Sequence, residues 1–508
     1  MKKHLGVFDL TALGIAAIVG AGIFGTIGQA ASAGGPAVVL LFVFTAFTCG
    51  LSALCYAQFA SVMPSAGSAY SYAKQVFGPL VGWIIGWDLI MEYAIGNVVV
   101  AISWSDYFTG LLHSFHIKFP LWLSMDYFSA QKMLTNETKI AWENAPKIAG
   151  FKLIFDLPAI AITAIIGWLT YIGIKESKNV SNTLVVIKLI VIAGVIIAGF
   201  MYLDAANWTP FMPHGLGGVL KGVSAVFFAY IGFDAISTTA EECHHSQKDL
   251  PKAMIYSLLI CTVLYILLAL VLTGMVPYNS LAVGDPLAFV FAQKGLQQIS
   301  IIIGFSAIVA YTGVLLVFQI GQPRIWLAMS RDKLLPAKFA EIHPKYHTPA
   351  FATIIAAAMV MLPIFFLNMN EVTDLTSIGT LFAFALVCAG VLFKSNDPVF
   401  ENAGFKVSFW PSRIWASVLL LILGLLYFLK IIDISGLHTV FYVFLGFTIL
   451  LLLIGIVKNW SFIPLIGLCS NLLMLGSLGN ESWWRFVVWL LIGLGIYYFY
   501  GYKKLKND

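Results

Sequence analysis

Two hydrophobic segments of the 508-residue sequence are interrupted by glycine, at matching positions of what reads as an internal repeat. The first is Ile18-Val19-Gly20-Ala21-Gly22-Ile23-Phe24-Gly25, and the second is Phe227-Phe228-Ala229-Tyr230-Ile231-Gly232-Phe233-Asp234. A break inside a membrane helix frees backbone N–H and C=O groups that lipid cannot satisfy, so it must face protein or a wet cavity. Each broken helix is expected to offer N–H groups at the start of its outer half, with the positive partial charge that suits a carboxylate. It is expected to offer C=O groups at the end of its inner half, which suit an ammonium group. A zwitterionic α-amino acid carries both. Glycine is also frequent in membrane helices because it lets them pack closely, so a lone Gly-x-Gly carries little. Two breaks at corresponding positions, one beside a charged residue, point to the binding site of a transporter.

Four ionisable residues stand well inside apolar runs: Asp88, Glu92, Lys188 and Asp234. Each costs about 2.5–3.5 kcal/mol at mid-bilayer, so each needs a reason to be there. Lys188, in Val185-Val186-Ile187-Lys188-Leu189-Ile190, lies roughly 12 Å into a helix that starts near residue 180. It either snorkels back to the surface or carries a proton. Asp234 follows the second break directly; it caps the outgoing half-helix, borders the pocket, or does both. Asp88 and Glu92 are four apart and share one helix face. Two carboxylates so placed repel, so one holds a proton or pairs with a basic group, and pairing within the bundle is the role expected.

The elements that must hold these residues are membrane helices. The chain is 60% hydrophobic and 10% charged, with a mean hydropathy of +0.90, whereas soluble domains carry about 25% charged residues. Fourteen apolar runs are long enough to span, near 9–31, 36–62, 79–112, 157–174, 180–202, 217–240, 253–276, 297–323, 350–367, 375–393, 412–430, 437–457, 462–479 and 484–501. They do not alternate in polarity as barrel strands do. The first run is too long for a cleavable signal and is expected to remain as a span. With the N-terminus inside, 19 of the 29 Lys and Arg fall on the cytoplasmic side and nine on the other. Five of those nine sit in the long loop at 113–156, which weighs little in the charge rule. Both termini are then cytoplasmic, and the net charge of +5 calls for no nucleic-acid partner. None of the six cysteines lies in an outer loop, so no disulfide framework is implied, and neither they nor His244-His245 match metal-ligand spacing. Spans one to five and six to ten form two sets, and the breaks fall in the first helix of each. An odd number of spans per set inverts the second set relative to the first.

The residues resemble a known family. Gly20-Ala21-Gly22-Ile23-Phe24 is similar to the first-helix signature of the amino acid–polyamine–organocation permeases. The stretch from Phe227 through Asp234-Ala235-Ile236-Ser237-Thr238-Thr239-Ala240-Glu241-Glu242 resembles the cationic amino acid transporter branch, bacterial type. So do Gly86-Trp87-Asp88-Leu89-Ile90-Met91-Glu92-Tyr93, Gly321-Gln322-Pro323-Arg324-Ile325, Ser330-Arg331-Asp332-Lys333-Leu334-Leu335-Pro336 and Ser377-Ile378-Gly379-Thr380-Leu381-Phe382-Ala383-Phe384. The likeness runs over nearly the whole chain, and fourteen spans suit that branch better than the superfamily's usual twelve. It departs at Gln58, where the family has glutamate, and at Cys243-His244-His245-Ser246, where an Asn-Pro pair is usual. Few basic residues follow the tenth helix. These departures bear on regulation and gating more than on the presumed binding backbone.

The resemblance implies an all-α integral membrane fold of about 14 helices: a 5+5 inverted repeat with discontinuous helices 1 and 6 over residues 1–394, plus four C-terminal helices over 395–508. It places Ile18, Ala21 and Gly22 on one side of the substrate and Ala229 and Ile231 on the other. Phe228 resembles the bulky residue that closes over substrate, and Asn97 the family's third-helix contact. Asp234 would border the pocket. In proton-using relatives a lysine at the position of Lys188 takes the place of a bound sodium ion, and a buried amine can release and recapture a proton near neutral pH. Thr312 is the expected hydroxyl neighbour. The expected function is proton-coupled amino acid uptake by alternating access at the cell membrane, with the proton as coupling ion and no other cofactor. An amino acid or polyamine exchanger is the first rival, and a non-translocating sensor another. An intramembrane enzyme would need paired catalytic groups, for which Asp88 with Asp234 is a faint candidate without a nucleophile. The long loop packs on the bundle or meets a partner, and a small membrane partner is left open. Cationic and neutral side chains both remain possible, because backbone groups read only what all amino acids share.

Overall fold

The computed structural model describes all residues except 1–4, 21, 64, 66, 149, 174–177, 368, 396, 402, 430–436, 503 and 505–508. Every one of the fourteen apolar runs is helical. The first is split into α1 (Val7–Ile18), a π-helical turn (Gly22–Thr26) and α2 (Ile27–Gly34). The second is α3 (Val38–Val62), and a short helix, α4 (Ser68–Phe77), leads to the third, α5 (Pro79–Ser114). The long loop folds into α6 (Tyr127–Lys132), α7 (Asn136–Asn144) and a two-residue hairpin, β1 (Lys147–Ile148) with β2 (Phe151–Lys152). Then follow α8 (Leu157–Ile172) and α9 (Lys178–Phe200).

The sixth run is the most fragmented. It comprises α10 (Gly215–Leu220), α11 (Val223–Phe228), a turn, and a 3₁₀ segment at Asp234–Glu242. Beyond it lie α12 (Ser246–Met275), α13 (Pro286–Gln293), α14 (Gln297–Arg331), α15 (Ala350–Ile364), α16 (Met369–Phe393) and the short α17 (Pro398–Glu401). Four more helices close the chain: α18 (Ser412–Phe428), α19 (Thr439–Lys458), α20 (Phe462–Ser477) and α21 (Asn480–Ile496). Among the described residues, seven helical stretches are long and apolar enough to cross a membrane. The first of them, Val7–Val62, covers two of the expected runs, and five shorter apolar helices match five more.

The two broken helices run antiparallel. At one face the N–H of His244 donates to the carbonyl of Leu5 at 3.1 Å, joining the start of the first broken helix to the end of the second. At the opposite face a Cβ on Gly34 would lie 3.3 Å from Val219 Cα, so the end of the first meets the start of the second. The face that holds Leu5 is also tied shut by polar contacts. Tyr70 of α4 donates to Asp332 just beyond α14 at 2.5 Å, Lys74 pairs with the same carboxylate at 2.7 Å, and Ser237 donates to Ser68 at 2.7 Å.

The long loop packs on the bundle. Its small core of Ala130, Ala141, Ala145 and Ile154 is covered by Trp122 and Trp142, and Asp126 and Thr135 cap its two helices. The N–H of Tyr127 donates to the carbonyl of Phe365 at 3.1 Å, anchoring the loop beside the end of α15. The last helices lean on the core through tryptophans. Trp87 and Trp489 stack at 4.5 Å and each donates its indole N–H to the other's carbonyl, while Trp83 donates to Gly493 O at 2.8 Å.

Candidate functional site

The structure brings the two glycine breaks against each other. A Cβ on Gly22 would stand 2.1 Å from Ala229 Cα, and one on Gly232 would stand 2.9 Å from the carbonyl carbon of Ala17. Backbone meets backbone here, and a side chain at either position would force the helices apart. Gly232 also has φ +123°, which L-residues rarely adopt. Thr26 fastens the crossing: its hydroxyl lies 2.9 Å from the carbonyl of Gly22 and 2.9 Å from that of Ala225, one on each broken helix.

Ile18, Phe228, Ala229 and Ile231 are all buried at this crossing, with Gly22 between them. Ala21 lies outside the described residues. Asp234 is buried and accepts a hydrogen bond from the N–H of Gly232 at 3.3 Å, so it caps the turn of the second break.

Because the helices are antiparallel, the expected placing of free backbone groups needs correction for the second break. There the carbonyl ends belong to α11, which lies toward the face opposite Leu5, and the outgoing segment starts on the near side. The turn also satisfies much of its own backbone. The N–H groups of Ala229, Tyr230 and Ile231 bond to Val226, Phe227 and Phe228 carbonyls at 3.2, 2.9 and 3.2 Å. At the first break the carbonyl of Ile18 accepts from the hydroxyl of Tyr265 on α12 at 2.8 Å. The carbonyl of Phe24 accepts from Tyr107 on α5 at 2.7 Å. Tyr265, Tyr107 and Thr26 therefore hold the breaks open in their present shape. The sequence marks none of them, since a tyrosine in an apolar run looks like any other aromatic.

Lys188 on α9 is 2% exposed, and its ammonium donates to the carbonyl of Ala310 on α14 at 3.2 Å. A Cβ on Gly313 would lie 3.3 Å from its Nζ, so the glycine makes room for the head group. Deep burial against α14 is not the posture of a snorkelling lysine. Thr312 precedes Gly313 on the same helix. Its hydroxyl accepts from the indole of Trp104 at 3.0 Å and donates to Ile308 O at 2.8 Å, so it faces α5.

Asn97 is fully buried on α5 and donates to Gln319 of α14 at 3.0 Å. It joins two helices behind the breaks. The pairing expected for Asp88 and Glu92 is not found: neither oxygen of Asp88 has a hydrogen-bond partner among the described residues, and Oε2 of Glu92 has none either. Gln58, where a glutamate was expected by resemblance, accepts from the N–H of Val407 at 3.2 Å and so ties α3 to the segment after α17.

With this geometry in place, comparison with known proteins is decisive. A family described as "Amino acid permease" matches residues 5–453, and one described as "C-terminus of AA_permease" matches residues 461–505. This chain belongs to the amino acid permease family. The branched-chain amino acid permease BcaP of Bacillus subtilis (strain 168) is 36% identical over 100% of this chain and 94% of its own length. The methylthioribose transporter of the same organism is 35% identical over 99% of this chain and 94% of its own. The chloroplastic cationic amino acid transporter 9 of Arabidopsis thaliana is 32% identical over 99% and 88%. The permease is thus a multi-pass membrane transporter rather than an enzyme. Matching runs past residue 453 into the last two helices, so the family likeness covers the C-terminal helices as well as the broken ones.

Proposed function

We propose that this permease is a secondary carrier that imports α-amino acids across the cell membrane with protons, by alternating access around the two breaks. The observation that carries this reading is the backbone-to-backbone crossing of Gly22 on Ala229 and Gly232 on Ala17. Side-chain-free backbone at mid-membrane is tolerated only where protein or a wet cavity meets it, and it suits a ligand recognised by its carboxylate and ammonium groups. Ile18, Ala21 and Gly22 on one helix, and Phe228, Ala229, Ile231 and Asp234 on the other, are the contacts assigned to substrate. Asn97 is assigned to the wall behind them. Lys188, held against α14 beside the first broken helix, is the proton carrier.

In this reading the N-terminus, the Ser237–Ser68 contact and the Asp332 cluster lie on the cytoplasmic side, and residues 1–394 form the moving core. Purified protein in proteoliposomes, offered a panel of labelled amino acids and methylthioribose with and without an imposed pH gradient, tests it. Amino acid uptake driven by an inward proton gradient is expected. Uptake that needs only internal amino acid would make it an exchanger, and accumulation of methylthioribose alone would overturn the zwitterion argument.

A further inference from the structure

Asp88 and Glu92, one turn apart on α5, are 0% and 3% exposed. Among the described residues, neither oxygen of Asp88, nor Oε2 of Glu92, has a hydrogen-bond partner. Glu92 faces Thr380 on α16, whose hydroxyl donates to Thr376 O at 3.0 Å. Its neighbour Gly379 packs onto Asp88 so closely that a Cβ there would lie 2.7 Å from Oδ1. α16 therefore seals Asp88 while supplying it no donor. The charged groups acting on Glu92 are Asp234 and Asp88, both acids.

The remaining walls add further polar groups. Tyr56 of α3 and Tyr93 of α5 are buried, their hydroxyls unpartnered, within electrostatic reach of Glu92 and Asp234. Tyr72 of α4 is in reach of Asp234. Gln322 of α14 gives its amide N–H to Ile90 O at 3.2 Å and leaves its own carbonyl oxygen unpartnered. Arg324, two residues on, is half-buried and engaged in contacts of its own.

Asp88 and Glu92, buried one turn apart with Asp234 within electrostatic reach of Glu92, cannot all be ionised. A bare carboxylate loses its hydration there, like charges repel, and Asp88 has no donor to replace water. We propose that Asp88, Glu92 and Asp234 form a second proton-binding site, loaded while α4, α5, α14, α16 and the Asp234–Glu242 segment are packed together and emptied when that face opens. It is distinct from Lys188. The lysine meets α14 at Ala310, whereas α5 meets it at Gln322 through Ile90, which lies between the two acids in sequence, about 18 Å further along the helix. Opening the face closed by Tyr70–Asp332 and Ser237–Ser68 would admit water to the carboxyls and release a proton on that side. The proposal rests on the proton-coupled reading but has its own test.

The test is the melting temperature of the purified full chain between pH 5 and 9, for the wild type, Glu92→Gln, Asp88→Asn and Lys188→Ala. An amide stands in for a protonated carboxyl. If the packed state binds protons that the unfolded chain has released, stability falls as pH rises over this range. The wild type is expected to lose melting temperature with rising pH, and each amide variant to lose a large part of that slope. Lys188→Ala removes a buried amine that gains a proton on unfolding, so it should steepen the fall with pH and not flatten it, while losing proton-driven uptake; the opposite sign separates failure of the cluster from failure of the lysine assignment. Unchanged slopes in both amide variants would overturn the proposal, as would an equal drop in melting temperature at every pH. Should the amide variants not fold, the infrared spectrum at pH 7 of Asp156→Asn, which lacks the other buried carboxyl that titrates near 7, decides. A protonated-carboxyl stretch is expected, and its absence overturns the site.

Discussion

At the scale of single residues, small side chains do most to shape the site. Gly22→Ala would place a methyl 2.1 Å from Ala229 Cα, a backbone atom that cannot rotate away. Overpacking of this kind costs about 1–3 kcal/mol. The variant should therefore melt lower and lose transport, whereas Gly424→Ala, with open space around it, should leave both unchanged. Tyr265→Phe removes the hydroxyl that holds the Ile18 carbonyl and should cost about 1 kcal/mol of stability, measured by denaturation in micelles. Lys188→Ala should abolish proton-driven uptake while substrate binding, followed by isothermal titration, persists. The contact of the glycines was legible in the sequence from their matching positions, and the burial of Lys188 from a charge that is out of place in lipid. The tyrosines were not, because which face of a helix a hydroxyl takes depends on a neighbour that the local sequence does not name.

Individual elements follow from caps and breaks. α8 begins where Asp156 accepts from the N–H of Ala159 at 3.0 Å, with Ser105 of α5 donating to the same oxygen at 2.6 Å. Burial pushes its carboxyl up to about 7, against about 3.9 in an unfolded chain. Its folded value is the higher one, so the native state binds the extra proton between about pH 4 and 7, and Asp156's contribution to stability falls as pH rises through that window. Asp156→Asn should flatten this part of the stability–pH curve, as read from melting temperatures at pH 4, 5.5 and 7. Thirteen of the fourteen apolar runs correspond to apolar helices among the described residues and could be read from the sequence alone. The internal order of the sixth run could not, since Gly217, Gly218, Gly222 and Gly232 permit several short segments and only packing selects among them. The fold of the 113–156 loop was equally hidden: its core is four residues, too few to give a periodic pattern.

The whole molecule is two broken helices crossing in opposite directions inside a cage of straight ones, closed at the face that holds Leu5. The closure rests on Tyr70, Lys74 and Asp332 together with Ser68 and Ser237. The Lys74–Asp332 pair is about a third exposed and contributes little by itself, so the buried side of the cluster, through Tyr70, does more. Asp332→Ala should shift the population toward opening at this face by about fivefold for each kcal/mol lost. A cysteine placed at Ser237 would report it as faster labelling by a membrane-impermeant thiol reagent. The antiparallel crossing was foreseeable from the odd number of helices in each half, and the contact between the breaks from their matching positions. The carboxyl cluster beyond them was visible only as two acids on one face, since the missing counter-charge is a property of the surrounding helices. The central claim, that protons and amino acids move together through the crossing, is tested most directly by a pH-sensitive dye inside proteoliposomes with no imposed gradient. Adding a transported amino acid outside should acidify the lumen with the wild type and not with Lys188→Ala; entry of labelled amino acid without any acidification would contradict it.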